Sequence, residues 1–179
     1  MATKKELEKL FRKQGFKDFK WLNPKNIKVA QWVRMKCKFG CDDYGRKACC
    51  PPNMPPKADC AEFFKEYSLG AVLHFEKKLG KLEDRTKWYK VLNPKLLELE
   101  RQVFFLGYPK ALVLFMSHCV VCNECVSKLE ECKHPEKSRP ASEALCVDVF
   151  STVRELGYPI EVLTDYKDTM NRYAFLLID

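Results

Sequence analysis

The cysteines constrain this chain more than any other feature. Ten of its 179 residues are cysteine, and nine of them fall into two clusters. The first holds Cys37, Cys41, Cys49, Cys50 and Cys60. The second holds Cys119, Cys122, Cys125 and Cys132, and Cys146 stands apart. Thiolates at two-residue gaps can close round one metal centre, whereas scattered thiols do not. The chain must therefore fold with two metal-binding loops, and iron–sulfur chemistry is the first expectation.

The bulk numbers agree with a chain that buries a core. Hydrophobic residues make up 46% and charged residues 31%, the balance of a globular protein, and the length suits one domain over 1–179, with 1–26 as a helical extension. The longest apolar run, Ala111 to Met116, is far short of a membrane span. The N-terminal residues are charged and amphipathic, without a signal-peptide core. These features predict a cytoplasmic protein without membrane contact, where thiols stay reduced and ligate metal instead of forming disulfides. The formal charge is +8. Two four-thiolate clusters would lower it to about +4, because metal ligands lose their protons. The basic excess is thus weak support for nucleic acid, and many lysines alternate with glutamates as on solvated helix faces.

Periodicity predicts a helix over 3–14, with Leu7, Leu10 and Phe11 on one face. Residues 27–36 alternate enough to suggest a strand, with a short helix as the alternative. The run Cys-Cys-Pro-Pro-Asn-Met-Pro-Pro at 49–56 must be a loop. Three helix-to-strand units then follow: 57–67 into 71–75, 84–106 into 111–116, and 141–156 into 160–163. The tetrapeptide Leu-Gly-Tyr-Pro ends two of these helices, at 106–109 and 156–159. Glycine suits the left-handed position after a helix, and proline stops its continuation. Asn93-Pro94 should kink or restart the middle helix, and a last strand is expected over 174–178. The alternation predicts an α/β fold with a mostly parallel or mixed sheet, flanking helices and two cysteine-rich loops. Parallel strands would carry both loops to one carboxyl edge.

The second cluster, Cys119-Val-Val-Cys122-Asn-Glu-Cys125 with Cys132 seven positions on, matches the opening of bacterial ferredoxin motifs. Six residues instead of three precede the fourth cysteine, and Pro135 follows later than in ferredoxins. Four thiolates also suit tetrahedral zinc, the alternative here. In the first cluster the expected ligands are Cys37, Cys41, Cys50 and Cys60, with Cys49 as substitute or bystander. Three ligands instead of four would leave one iron open to a substrate.

These segments are similar to a family described as predicted metal-binding proteins, from anaerobic archaea and bacteria. The resemblance covers about residues 30–178. It is carried by Val33-Arg34-Met35-Lys36-Cys37-Lys38-Phe39-Gly40-Cys41, by Cys50-Pro51-Pro52 and by Cys119 to Cys125. The most specific stretch runs from Cys132 through Arg139-Pro140 and Glu143-Ala144 to Val147-Asp148-Val149-Phe150. It implies metal binding, with iron–sulfur expected, and supplies no reaction. Cys49 stands where that family commonly has serine, Cys146 where it has glycine, and Ser117-His118 where it has Gly-Pro. Cys146, in the expected helix, reads as a small buried hydrophobe.

Arg139 is a candidate to neutralise cluster charge or hold an anion, or else an ion-pair partner at a helix start. His118 and His134 flank the second cluster as supporting groups, and His74 reads as a packed core histidine. The three tryptophans and most other aromatics read as core, with Phe16 to Trp21 a lid over it and RNA stacking the alternative. The functional expectation is a redox protein with two [4Fe–4S] clusters, exchanging electrons with a partner protein. An open-iron enzyme and a zinc-stabilised binding module are the alternatives.

Overall fold

The computed structural model describes every residue except 79, 82, 166 and 167. Its elements are α1 (Lys4–Lys13), β1 (Phe19–Leu22), α2 (Gln31–Gly40), α3 (Lys57–Lys65), β2 (Gly70–Lys78), α4 (Glu83–Phe105), β3 (Leu112–Leu114), α5 (Val149–Glu155) and β4 (Thr169–Leu177). Short 3-10 turns cover Pro24–Asn26, Leu129–Glu131 and Ser142–Leu145. The four strands form one sheet in the order β1-β2-β4-β3.

Alternation along the strands builds two cores. Ala71, Leu73, Val113, Phe115, Ala174 and Leu176 face one way, toward Leu7 and Phe11 of α1 and Leu96, Leu99 and Val103 of α4. Val72, Leu114, Phe175 and Leu177 face the other way, toward Phe64 of α3 and Val153 of α5. Side chains that point out of a pleat by turns allow this two-sided burial. The result is a sheet between two helical layers, in keeping with the expected α/β class.

Every named strand pair is antiparallel, so the mixed or parallel sheet is resolved as antiparallel. The reason is the position of β4. β2 and β3 both run antiparallel to it, hence parallel to one another, with α4 as their crossover. The last strand fills the gap that a simple crossover would have closed. The only parallel pairing seen among the described residues is an isolated bridge, Phe115 with Ala141.

Three other expectations change. Residues 31–40 form helix α2, not a strand, which turns Trp32, Met35 and Phe39 outward. Residues 160–163 are irregular. The expected helix over 141–156 is split, because Cys146 adopts φ 62°. That left-handed geometry ends one helical segment before Asp148 caps α5. Helix α4, by contrast, runs through Pro94 without a break. Gly107 and Gly157 of the two Leu-Gly-Tyr-Pro sequences have φ +96° and +71°, as expected. Phe16 is buried, and Phe19 and Trp21 pack on the α1–α4 core, which fits a lid.

His74 lies on β2 with its ring stacked on Tyr173 and its Nδ1 2.6 Å from Asp18 Oδ2. Tyr158 donates to the other Asp18 oxygen at 2.9 Å. Partial burial alone would raise the Asp18 pKa, but the hydrogen bonds from His74 and Tyr158 outweigh it and hold the carboxyl below its ordinary value. A carboxyl with a lowered native pKa stabilises the fold above its unfolded value, near 4, and loses that contribution as pH falls through the native pKa. Asp18→Asn should therefore lower Tm at pH 7 and flatten the acid limb of a Tm-against-pH curve below about pH 4. An unchanged acid limb would rule this linkage out.

Candidate metal centre

The two thiol loops meet because the segments that flank them are pinned together. Ala30 N–H donates to the Cys146 carbonyl at 2.9 Å, and Asp148 N–H to the Lys28 carbonyl at 2.7 Å. This fixes the start of α2 beside residues 146–148. The Arg34 guanidinium then donates to the Pro55 carbonyl (2.8 Å), the Ala144 carbonyl (3.0 Å) and Cys146 Sγ (3.2 Å). On the other side, Phe115 N–H donates to the Pro140 carbonyl at 2.9 Å, and Ser142 N–H returns to the Phe115 carbonyl at 3.3 Å. Residues 116–139 are thus a loop whose two ends are stitched beside β3. Asn53 Nδ2 joins the loops by donating to the Ser127 carbonyl at 2.6 Å. His118 Nδ1 does so again at 3.1 Å from Asp43 Oδ2.

All ten cysteines are free thiols. Cys37, Cys41 and Cys50 form one group. Cys37 is half-buried in the last turn of α2, Cys41 caps that helix, and Cys50 is buried. The three line a cavity of about 240 Å³ together with His118, Glu143 and Arg172. Burial raises the Cys37 thiol, and nearby Cys41 raises it further. Burial, then Asp43 and Cys41, pushes Cys50 up to about 12. Burial also raises the Glu143 carboxyl and lowers His118, so both tend toward neutrality. Among the described residues Arg172 Nε is buried with no hydrogen-bond partner.

The second group is larger than the spacing implied. Cys119 lies within electrostatic reach of Cys125 and Cys122, and Cys49 within reach of Cys119, Cys132 and Cys125. Cys49 therefore sits with the second set, although it is next to Cys50 in the chain. Burial raises both thiols. Backbone N–H groups of Val121 and Arg139 pull Cys119 the other way, and Ala48 N–H lies 3.5 Å from Cys125 Sγ. Ser138 Oγ is 3.8 Å from Cys132 Sγ and also hydrogen-bonds Cys49. Sequence reasoning missed Ser138, Asn53, Asp43 and Arg172. Ser138, six residues past Cys132, Asn53, within the run 49–56, and Asp43, two residues past Cys41, stood near motifs, whereas Arg172 did not.

Cys60 neighbours Cys146, the thiol that also acts on Cys37. It is 1% exposed behind the sheet, with its thiol 3.4 Å from the Pro55 carbonyl. Burial and then Cys146 push it up to about 11. Cys146 is fully buried, as expected of a small hydrophobe, but it lies outside any helix. Arg139 is held by Glu100, with its Nε 3.0 Å from Oε2 and a second short contact to Oε1, and it also feels Cys49. His134 sits 3.8 Å from Glu136.

A donor set of this kind fits a soft metal centre. Crowded thiolates repel one another and, without a cation, the buried ones keep their protons. A bound metal reverses that balance, with proton release. Among the described residues no three His, Cys, Asp or Glu side chains are arranged to hold a single ion.

The model of the family described as predicted metal-binding protein (DUF2284) matches residues 20–178. The chain belongs to that family. In this predicted metal-binding protein the match spans both thiol groups, Arg139 and all four strands but the first residue of β1. No curated protein and no solved structure is detectably similar to it. No helix among the described residues is long and apolar enough to cross a membrane.

Proposed function

We propose that this chain is a cytoplasmic iron–sulfur redox protein with two adjacent [4Fe–4S] clusters, exchanging single electrons with a partner protein. The observation that supports it most is the separation of the loop thiols into two adjoining groups. Cys37, Cys41 and Cys50 would hold one cluster. Four of Cys49, Cys119, Cys122, Cys125 and Cys132 would hold the other. Bound there, such clusters accept and release single electrons at potentials set by burial and by hydrogen bonds to sulfur.

The chain's own residues supply that tuning. The N–H groups of Val121, Arg139 and Ala48 stabilise thiolate charge at Cys119 and Cys125. Buried Val120 packs an apolar side chain between Cys119 and Cys122 in the chain. Beside Cys37, α2 presents Trp32, Met35 and Phe39 with Lys36 and Lys38 between them, which suits an acidic partner.

The test is anaerobic purification followed by iron, sulfide and zinc analysis, with a visible spectrum before and after dithionite. About eight irons and eight sulfides, bleaching on reduction, are expected. One or two zincs without a visible band would sink the redox reading and favour a zinc-stabilised binding module, whose RNA affinity would then fall steeply with salt.

A second reading has its own observation. The first group has three thiols, and its cavity carries Arg172, His118 and Glu143. Three thiolates leave one iron of a cluster open, and a guanidinium whose buried Nε has no hydrogen-bond partner among the described residues suits an anionic substrate. Cyanide should then change the EPR signal of the reduced protein. No change would mean a fully ligated carrier.

A further inference from the structure

We propose that a cavity between α4 and the second thiol loop binds a planar heteroaromatic molecule with a lactam edge and an anionic tail, the chemistry shared by flavin mononucleotide and carboxylated pterins. The inference rests on the cavity and on one residue in its wall. It does not depend on any metal.

The cavity measures about 750 Å³, within the range of cofactor sites. One face of α4 lines it with Lys90, Asn93, Pro94, Leu97, Arg101 and Phe104, at helical spacing. The rest comes partly from Val120 and Val121, between Cys119 and Cys122. The wall is mostly apolar, which suits a fused ring.

Asn93 decides the chemistry. It is 2% exposed, and neither its Nδ2 nor its Oδ1 has a hydrogen-bond partner among the described residues. Native proteins rarely leave a buried amide so. An amide offers a donor beside an acceptor, so its natural complement is a carbonyl beside an N–H. A lactam or imide edge carries both on one side of a ring. Pro94 strengthens the point. It has no N–H to give the Lys90 carbonyl, which leaves a backbone acceptor without its helical donor one turn before it.

The charged groups of the wall place the tail. Arg139 is held by Glu100, Arg101 by Glu98 at 3.0 Å, and Lys137 lies 3.9 Å from Glu136. Lys90 donates to a neutral amide oxygen, that of Asn123, at 2.9 Å. It therefore keeps its charge available for a phosphate or carboxylate one helical turn from Asn93. A ring bound there lies against the residues that separate Cys119 from Cys122.

Calorimetric titration of the full, anaerobically purified chain with flavin mononucleotide and with pterin-6-carboxylate tests this. Saturable binding of at least one probe is expected, and the stronger of the two names the class. Asn93→Leu should weaken it at least tenfold, while the variant alone melts no lower than the parent, since it removes a buried unpaired amide. Lys90→Ala should weaken flavin mononucleotide severalfold and leave riboflavin, which lacks the phosphate, unchanged. Binding of neither probe overturns the inference. So does undiminished binding by Asn93→Leu, or a lower Tm or failure to fold in that variant, because Asn93 would then serve the fold alone. Equal weakening of riboflavin and flavin mononucleotide by Lys90→Ala overturns the placing of the tail. Iron and zinc content has no bearing on any of these outcomes.

Discussion

Cys41→Ser protein, purified anaerobically, will carry about half the iron and sulfide of the parent, and Cys60→Ser protein will carry all of it. The difference follows from where the two thiols lie. Cys41 is exposed at the end of α2, in electrostatic reach of both Cys37 and Cys50. That group has three thiols and no spare, so losing one leaves too few ligands. Cys60 is sealed behind the sheet against Phe64 and Tyr67, with Cys146 as its neighbouring thiol. Cys49→Ser is a third arm. Five thiols share the second group, and four suffice for a cubane cluster, so its iron content should hold. If Cys60→Ser loses as much iron as Cys41→Ser, Cys60 is a ligand after all and the grouping drawn above is wrong.

Arg139→Met will destabilise the metal-free protein by about 3–5 kcal/mol, the usual cost of stranding one member of a buried pair. For a chain of this length that is a drop in Tm on the order of 10 °C. The Glu100 side chain is 11% exposed and that of Arg139 19%, so water replaces the lost guanidinium only in part. Glu100 also accepts the Val113 N–H at 2.7 Å, which ties the pair to β3. Adding Glu100→Gln keeps an acceptor for that N–H, removes the stranded charge, and should recover about half the loss. Thermal melts of the parent, both single variants and the double variant measure this. Were Arg139 present only to balance cluster charge, the metal-free Tm would not move.

Much of this molecule was legible from local signals. The spacing of Leu7, Leu10 and Phe11 and the Thr3–Glu6 capping box define α1. The two Leu-Gly-Tyr-Pro sequences mark helix ends because only a residue at ease with positive φ fits there. The cysteine spacing separated two loops. What escaped was set by long-range contacts. Across residues 27–36 the alternation of Val29, Val33 and Met35 mimicked a strand, yet within α2 Trp32 and Met35 face solvent. No local pattern announces that β4 will slip between β2 and β3. The split at Cys146 depends on one left-handed residue that is not glycine. Cys49 faces the thiols of the second group while Cys50 faces Cys41 and Cys37, because adjacent side chains leave the backbone in different directions, a rule that adjacency in sequence disguises.

The place of β4 bears on how the protein is made. Residues 37–132, with every thiol of both loops, leave the ribosome before residues 169–177. Until those residues arrive, β2 and β3 share no hydrogen bonds, since each pairs with β4 and not with the other. The nascent chain therefore offers its thiols on a half-built scaffold, open to whatever delivers metal. Insertion of β4 between β2 and β3 comes afterwards and joins the two halves of the sheet. Completion of the sheet that carries both thiol loops thus waits on the last strand of the chain.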